Sequence, residues 1–445
     1  MEVTLAQMLE AREQRAFRQV QLNRQFGKPL VSFSMNIPGP VKDSPLIRRG
    51  FRAGCEALEG QLPGIIHREI REAVTGCEAI YVVPGDALAV KAVTTALEDT
   101  HPLGRLFDMD VIGPDLCKLD RKAVGGGSRD CIVCGAPGRG CASRRLHSVS
   151  QLQAAVLAIL EGYFQPLDAE SIGDLAVESL LEEVETTPKP GLVDRRNSGS
   201  HQDMDITTFR ASAGALAPYF RRCAAIGMET RQERPETTFP LLRQAGLEAE
   251  QAMYRATGGI NTHKGAIFTL GLLCGAAGRL WDGGGFPDPA PLFREVSAMT
   301  KAAMEEDWKQ SGNTVGFRLY ARLGIRGIRG EAAAGLPSVS DIGLPLYREF
   351  LSQGLSRNDA GVRTLLHLIA RVEDTNMIAR GGMEGAKAGA EACARLLERE
   401  FTLADVELLD DQFIARRLSP GGCADLLAAV YFLHSLTKQH FSERT

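Results

Sequence analysis

The stretch Gly104-Arg-Leu-Phe-Asp108-Met-Asp110-Val-Ile112 alternates apolar and polar residues and stops at Gly113-Pro114. Alternation with period two marks a half-buried strand, here predicted over residues 106–112. On a strand, residues i and i+2 share a face. Phe107, Met109 and Val111 therefore point to a core, and Asp108 and Asp110 project together on the other side. Two carboxylates so placed can hold Mg²⁺ against phosphate oxygens during in-line displacement. The competing reading is an exposed strand face with two solvated acids.

Upstream, residues 4–26 have helical periodicity with alternating charges, and residues 29–33 are short and β-rich. The loop Asn36-Ile-Pro-Gly-Pro-Val-Lys42 follows. Residues 78–83 (EAIYVV) read as a strand ended by Pro84-Gly85, and Asp86 can cap a helix running to about Glu98. Downstream of about Tyr163 the strand signals nearly vanish. Ala/Leu/Gly segments at 171–184, 206–222, 240–256, 262–280, 291–308, 359–380, 385–400 and 422–436 read as helices punctuated by Gly and Pro. The expectation is a multi-domain chain, with an N-terminal α/β (α+β) domain over residues 1–165. A larger, mainly α-helical domain follows over 166–445, with the boundary near Gln165-Pro166.

The 445 residues are 44% hydrophobic and 24% charged, a globular balance. Lys and Arg total 51 against 55 Asp and Glu, a net charge of −4, which argues against a general nucleic-acid coat and leaves room for a local basic patch. The N-terminus has no apolar signal core, and the apolar stretches 266–277 and 426–433 fall short of the ~20 residues a membrane span needs. These features predict a cytoplasmic chain with no membrane partner. The ten cysteines then read as reduced thiols.

Three of them fall in Cys131-x₂-Cys134-x₆-Cys141-x₅-His147, a Gly-rich loop that could clamp Zn²⁺ tetrahedrally or simply carry free thiols. Arg121, Lys122, Arg129, Arg139, Arg144 and Arg145 make the same region basic, suited to phosphate, RNA or an acidic protein. In the second half, Pro188, Pro190 and Gly191 hold Lys189 on a rigid loop after Glu185, continuing through Asn197-Ser198-Gly-Ser-His201-Gln-Asp203-Met-Asp205. Asp203 and Asp205 could share a cation, and Asp205 could cap the next helix. Gly258-Gly-Ile-Asn261-Thr262-His263-Lys264-Gly265 opens a helix whose free N–H groups suit polyphosphate, or it is a well-capped core helix. Arg326-Gly-Ile-Arg329-Gly-Glu331 is a basic loop. Asp374 and Asn376 would lie ~200° apart on an intact helix, so only a break lets them face one ligand. Otherwise Asp374 pairs with Arg371. Ser419-Pro-Gly-Gly-Cys-Ala-Asp425 opens an apolar helix, with Asp425 read as a favourable first-turn acid. Walker, dinucleotide-fingerprint, zincin and nucleophile-elbow patterns are absent from the sequence.

These motifs resemble two families joined in one chain. PLVSF with Asn36-IPGPVK42, Ser44-PLI, GRLFDMDVI and Arg129-Asp-Cys131 through His147 resemble apo-citrate lyase phosphoribosyl-dephospho-CoA transferase. Thr187-PKPGLVD194, Asn197-SGSHQDMD205, GGINTHKG265, Arg329-GEA, Asp374-TN376 with Arg380-GG382, and PGGCADLLA resemble triphosphoribosyl-dephospho-CoA synthase. The resemblance implies two steps. The second domain joins ATP and dephospho-CoA with release of adenine. The first, a nucleotidyltransferase-like domain, passes phosphoribosyl-dephospho-CoA to a serine of the apo acyl carrier protein subunit of citrate lyase and releases pyrophosphate.

Under that resemblance Asp108, Asp110, Glu185, Asp203, Asp205 and Asp374 are the catalytic candidates. The base is left open among the acids of the second half. Mg²⁺ is expected at Asp108, Asp110, Asp203 and Asp205. Asn36, Lys42 and Arg105 are phosphate or nucleotide contacts in the first domain. Lys189, Asn197, Ser198, His201, Asn261, Thr262, His263, Lys264, Arg329, Glu331, Asn376 and Arg380 are such contacts in the second. The partners implied are small-molecule nucleotides and the carrier, with no nucleic acid. Two rival readings are prosthetic-group synthesis for malonate decarboxylase and a zinc-stabilised RNA-binding module on a helical scaffold.

Overall fold

The computed structural model describes residues 2–136, 141, 144–309 and 315–439. They form two compact units. One reaches Pro166 and includes the short segment Asp282–Gly284, and the other comprises Leu167–Trp281 and Gly285–Gln439.

The first unit contains α1 (Leu5–Phe26), β1 (Leu30–Met35), α2 (Pro45–Gln61), β2 (His67–Arg71), β3 (Glu78–Val82), α3 (Ala87–Thr100) and β4 (Phe107–Ile112). The sheet order is β2-β3-β1-β4, and all three pairings are antiparallel. Of the two layer classes expected, the arrangement is α+β. Strand β2 is absent from the sequence reading. Its residues HREIR are charged around one apolar Ile70, itself exposed, as suits an edge strand that resists pairing with other chains. Local signals do fix the helix starts. Thr4 and Gln7 form a capping box on α1, and Asp86 accepts from Leu88 N and Ala89 N at α3.

The two faces of this sheet differ in kind. Val31, Phe33, Ala79, Tyr81, Phe107, Met109 and Val111 are all buried on one face, where Phe33 stacks on Phe51 of α2. The other face carries Ser32, Ser34, Glu78, Asp108 and Asp110 beneath α1. Leu22 and Phe26 at the C-terminal end of α1 pack on Leu30, Ile80, Val82 and Ile112. Its middle reaches polar partners, with Gln19 donating to Ser32 Oγ at 2.7 Å and Arg15 3.4 Å from Glu78. Apolar packing thus seals one end of this face and leaves the other polar.

Helix α4 (Val149–Glu185) runs through Pro166, where the domain boundary was expected. The second unit continues with α5 (Ile206–Ala215), α6 (Ala217–Thr230), α7 (Thr238–Ala256), α8 (Lys264–Arg279) and α9 (Ala290–Lys309). Then come α10 (Val315–Leu323), α11 (Gly327–Ala334), α12 (Leu344–Ser352), α13 (Arg357–Arg371), α14 (Thr375–Leu397), α15 (Leu403–Ala415) and α16 (Gly421–Lys438). Helices α10, α11, α12 and α15 were not singled out by periodicity. The helix expected over 206–222 divides at Leu216, just before Pro218, which cannot supply an interior N–H. The one expected over 359–380 ends at Arg371 and restarts at Thr375.

Helices α8 and α16 are apolar nearly all round and form the core. Helix α8 can meet the α6 backbone because a side chain is missing where they touch. A Cβ on Gly278 would lie 2.0 Å from Ala224 O. Among the described residues no helix is long and apolar enough to cross a membrane.

Candidate active sites and a cysteine cluster

In the first unit, the polar end of the sheet opens into a recess of about 170 Å³. Asn36, Lys42 and Asp108 line it together with Arg12, Arg15, Ser34 and Glu78. The register explains the convergence, since Glu78, Ser34 and Asp108 lie directly opposite one another on three adjacent strands. Loss of hydration in the recess, then the charge of Asp110, raises the pKa of Asp108. Burial, and then Arg12, lowers that of Lys42, whose Nζ donates to Ile37 O. Burial raises Glu78 against the pull of Arg15. Asp108 has no hydrogen-bond partner among the described residues, whereas Asp110 is held by Lys118 at 2.5 Å. The pair offers hard oxygen donors on one face and fits Mg²⁺, with Asp108 the free ligand. Arg105 does not line the recess. Arg12, Arg15 and Glu78 do, and the sequence reading passed over them because they sit on unremarkable helical and strand positions.

The basic segment is smaller than its composition suggests. Arg121 is paired with Asp99 at 2.6 Å, and Arg129 donates to the carbonyls of Phe107 and Gly104. Arg139 lies outside the described residues. Lys122, Arg144 and Arg145 remain exposed. Cys131, Cys134, Cys141 and His147 come together, with their ligand atoms all within 4.8 Å of one another. Backbone N–H groups of Cys134 and Val133 hold Cys131 down to about 7, while a hydrogen bond with Cys134 pushes Cys141 up to about 11.

In the second unit loops from distant parts of the sequence interlock. Lys189 is buried, and its Nζ donates to Glu183 Oε1 at 2.5 Å and to Glu183 O at 2.7 Å. It is not the exposed phosphate clamp expected from its loop. Its loop is fixed by Asp194, which accepts from Lys189 N, Arg196 N and Asn197 N. Asn197 donates to Asp410 Oδ2 at 2.8 Å. The Ser198 carbonyl accepts from His201 N at 3.1 Å, and His201 bridges Ser419 Oγ at 2.9 Å to Arg380 at 3.1 Å. Burial, then Arg380, holds His201 down to about 4, so it is neutral near pH 7.

Asp374 occupies the break between α13 and α14. It caps α14 through Asn376 N at 2.8 Å and Met377 N at 3.0 Å, and its other oxygen accepts from Cys423 N at 2.8 Å. The alternative pairing with Arg371 is therefore absent. Asn376 stands beside Gly421, where a Cβ would lie 2.9 Å from its Nδ2. Asp374 and Asn376 thus both reach the start of α16, and the helix break is the reason. The carboxylate of Asp374 thus ties the start of α14 to the start of α16 through three backbone N–H groups, while burial raises its pKa.

Asp425 is the fifth residue of α16, past the first turn where the sequence reading put it, and is half-buried. Its carboxylate lies against the start of α8, where a Cβ on Gly265 would fall 1.9 Å from Oδ2. Burial raises its pKa well above the usual range, with Glu183 and then Asp374 adding to the rise. His263 is buried, bonded to Ser212 Oγ at 2.7 Å through Nδ1, and its Nε2 has no partner among the described residues. Thr262 shares Ser212 at 2.7 Å. Asn261 accepts from Lys264 N at 3.3 Å, and Lys264 pairs with Glu250 at 2.7 Å.

The other acids expected to do chemistry are engaged or remote. Asp205 caps α5 through Thr208 N and both nearby threonine hydroxyls, which hold it down to about 2. All three bonds fall on Oδ1, which leaves Oδ2 of Asp205 without a partner among the described residues, and Asp203 is exposed. Glu185 pairs with Arg210 at 2.8 Å on the surface. Glu331 is used twice by Ser338, and Arg329 lies 4.5 Å over the Phe317 ring. Among the described residues no hydrogen bond or ion pair links Arg329 or Glu331 to the Glu183–Asp425 cluster.

Two family models divide the chain. Residues 169–443 match ATP:dephospho-CoA triphosphoribosyl transferase, and residues 3–163 match apo-citrate lyase phosphoribosyl-dephospho-CoA transferase. The chain belongs to both families. Protein CitXG of Haemophilus influenzae is 33% identical over 97% of this chain and 96% of its own length. Protein CitXG of Leuconostoc mesenteroides is 31% identical over 98% and 97% respectively. The 2-(5''-triphosphoribosyl)-3'-dephosphocoenzyme-A synthase of Klebsiella pneumoniae is 40% identical over 60% of this chain and 92% of its own.

The protein is therefore a transferase of citrate lyase prosthetic-group synthesis. The recess lies in its phosphoribosyl-dephospho-CoA transferase part, and the buried acidic cluster lies in its triphosphoribosyl transferase part. Glu183 of that cluster was hidden in the sequence among three neighbouring acids. Asp425 was visible but read as a dipole partner. The only local signal that could have singled out Asp425 was the unusual Pro-Gly-Gly entry before it.

Proposed function

We propose that the triphosphoribosyl transferase part makes 2'-(5''-triphosphoribosyl)-3'-dephospho-CoA from ATP and dephospho-CoA, with Asp425 as the base. The observation that carries this reading is the meeting of Asp425 with Gly265 and Ala266 at the start of α8, beside Asp374 and Glu183. The 2'-hydroxyl oxygen of the CoA ribose forms a bond to C1' of the ATP ribose. The bond from C1' to adenine breaks, its electron pair leaves with the base, and adenine takes up a proton. A carboxylate with a raised pKa accepts the hydroxyl proton better than an ordinary one. The α8 N-terminus and Lys264 favour the triphosphate, which stays on the product.

The first part would then transfer phosphoribosyl-dephospho-CoA to a serine of the apo acyl carrier subunit of citrate lyase. Arg12 and Lys42 face the departing pyrophosphate, and Asp108 orients the phosphoryl end. Mg²⁺ bound there would neutralise the developing charge. Exposed Lys122, Arg144 and Arg145 favour an acidic carrier. The nucleotide substrates support a cytoplasmic location.

Mass spectrometry of ATP and dephospho-CoA incubated with the protein tests the first step. Free adenine and the triphosphoribosyl adduct are expected, and their absence overturns it. Adding apo carrier of citrate lyase, or in parallel that of malonate decarboxylase, tests the second. Pyrophosphate release and the matching mass gain are expected with the citrate lyase carrier. Modification of the malonate decarboxylase carrier alone would reassign the pathway.

A further inference from the structure

Between Val124 and Val149, Cys141 is the one buried residue among those described. A segment with no apolar core has no evident means of gathering three thiols and an imidazole. Yet Cys131, Cys134, Cys141 and His147 place their ligand atoms within 4.8 Å of one another. Cys134 Sγ lies 3.5 Å from Cys141 Sγ and 3.3 Å from His147 Nε2. Around a tetrahedral Zn²⁺, sulfur and nitrogen ligands bonded at roughly 2.3 and 2.0 Å stand roughly 3.5–3.8 Å apart. The two Cys134 separations are close to that figure, and the others lie within 4.8 Å. The donor set is also the right one, since soft thiolates and an imidazole select zinc over magnesium or calcium.

We propose that Cys131, Cys134, Cys141 and His147 form a structural zinc site. Four protein ligands fill the tetrahedron and leave no open position, so the ion is structural and takes no part in the transfer reaction. Its binding energy replaces the missing core of the segment. The site starts two residues after Arg129, whose guanidinium holds the carbonyls of Phe107 and Gly104 at the start of β4. Zinc therefore anchors the segment that braces the strand bearing Asp108. The same segment displays Arg144 and Arg145.

The test uses the full chain, reduced and loaded with Zn²⁺, then desalted. Elemental analysis is expected to give one zinc per chain, and Co²⁺ loading to give thiolate-to-cobalt charge-transfer absorption. Cys134→Ser and His147→Ala should each lose the metal, while Cys117→Ser, at an exposed cysteine outside the cluster, should keep it. Alkylation mapping of the unmutated protein avoids dependence on variant folding. With zinc, Cys131, Cys134 and Cys141 should be protected while Cys117 reacts. Removing zinc should expose the three. No retained zinc, zinc retained by Cys134→Ser, equal alkylation with and without zinc, or isolation as a Cys134–Cys141 disulfide would each overturn the proposal.

Discussion

A Cβ built on Gly265 would fall 1.9 Å from Asp425 Oδ2. Two motifs 160 positions apart in the sequence therefore meet with no room for one methyl group. Gly265→Ala must displace the carboxylate. Overpacking of this kind costs about 1–3 kcal/mol of stability. Adenine release should fall by more than about tenfold, because the proposed base is moved. Asp425→Asn should lose at least about a hundredfold while its melting temperature stays near the parent's. Adenine release unchanged in Asp425→Asn would remove that residue from the reaction.

The Glu183–Lys189 pair makes a stability prediction. Both side chains are almost wholly buried. Removing one partner leaves a buried charge uncompensated, which costs about 3–5 kcal/mol. Lys189→Met should show that loss in urea unfolding, and adding Glu183→Gln should recover much of it. If Lys189→Met unfolds like the parent and loses only ATP affinity, Lys189 is a substrate contact instead.

His263 sets an acid limit. Burial, then Lys189, holds its pKa down to about 3, against about 6.5 for a free histidine. Between those values the unfolded chain binds the proton and the folded chain does not. The stability contribution is fully present above about pH 6.5 and declines as the pH falls toward 3, by at most ~1.4 kcal/mol per unit. His263→Gln should flatten the fall in urea midpoint between pH 7 and pH 5. An unchanged slope would mean that His263 is already protonated in the fold.

Asp108 separates the two halves of the activity. Asp108→Asn should abolish transfer to the carrier and leave adenine release intact. Loss of adenine release with transfer preserved would reverse the assignment of the two parts.

Charge reversal at Arg144 and Arg145 should raise the KM for the carrier with kcat little changed. Arg129→Ala should instead lower stability, because its guanidinium is spent on the carbonyls of Gly104 and Phe107. Equal KM for parent and charge-reversed protein would remove the basic segment from carrier docking.

Much of this was legible locally. The alternation in 106–112 set β4, periodicity marked the helix over 4–26, and Asp86 announced α3. The edge strand β2 was not legible, since its charges mask its period. The fates of the acids were not legible either. Asp374, Asp205, Asp425 and Glu183 are equivalent as letters. They differ because three backbone N–H groups bind Asp374, one backbone N–H and two threonine hydroxyls hold one oxygen of Asp205, a lysine is buried against Glu183, and Asp425 meets a helix start with burial and charge neighbours raising its pKa.

The sequence by itself determined many of the elements and the family, because capping, periodicity and long motifs are properties of neighbouring residues. Only the tertiary structure decided which charged groups are free. That depends on burial and on partners from distant segments, such as Asp425 against Gly265 and Glu78 beside Ser34 and Asp108. Hydration and Coulomb energy are set by such neighbours in space, and the order of residues along the chain does not reveal them.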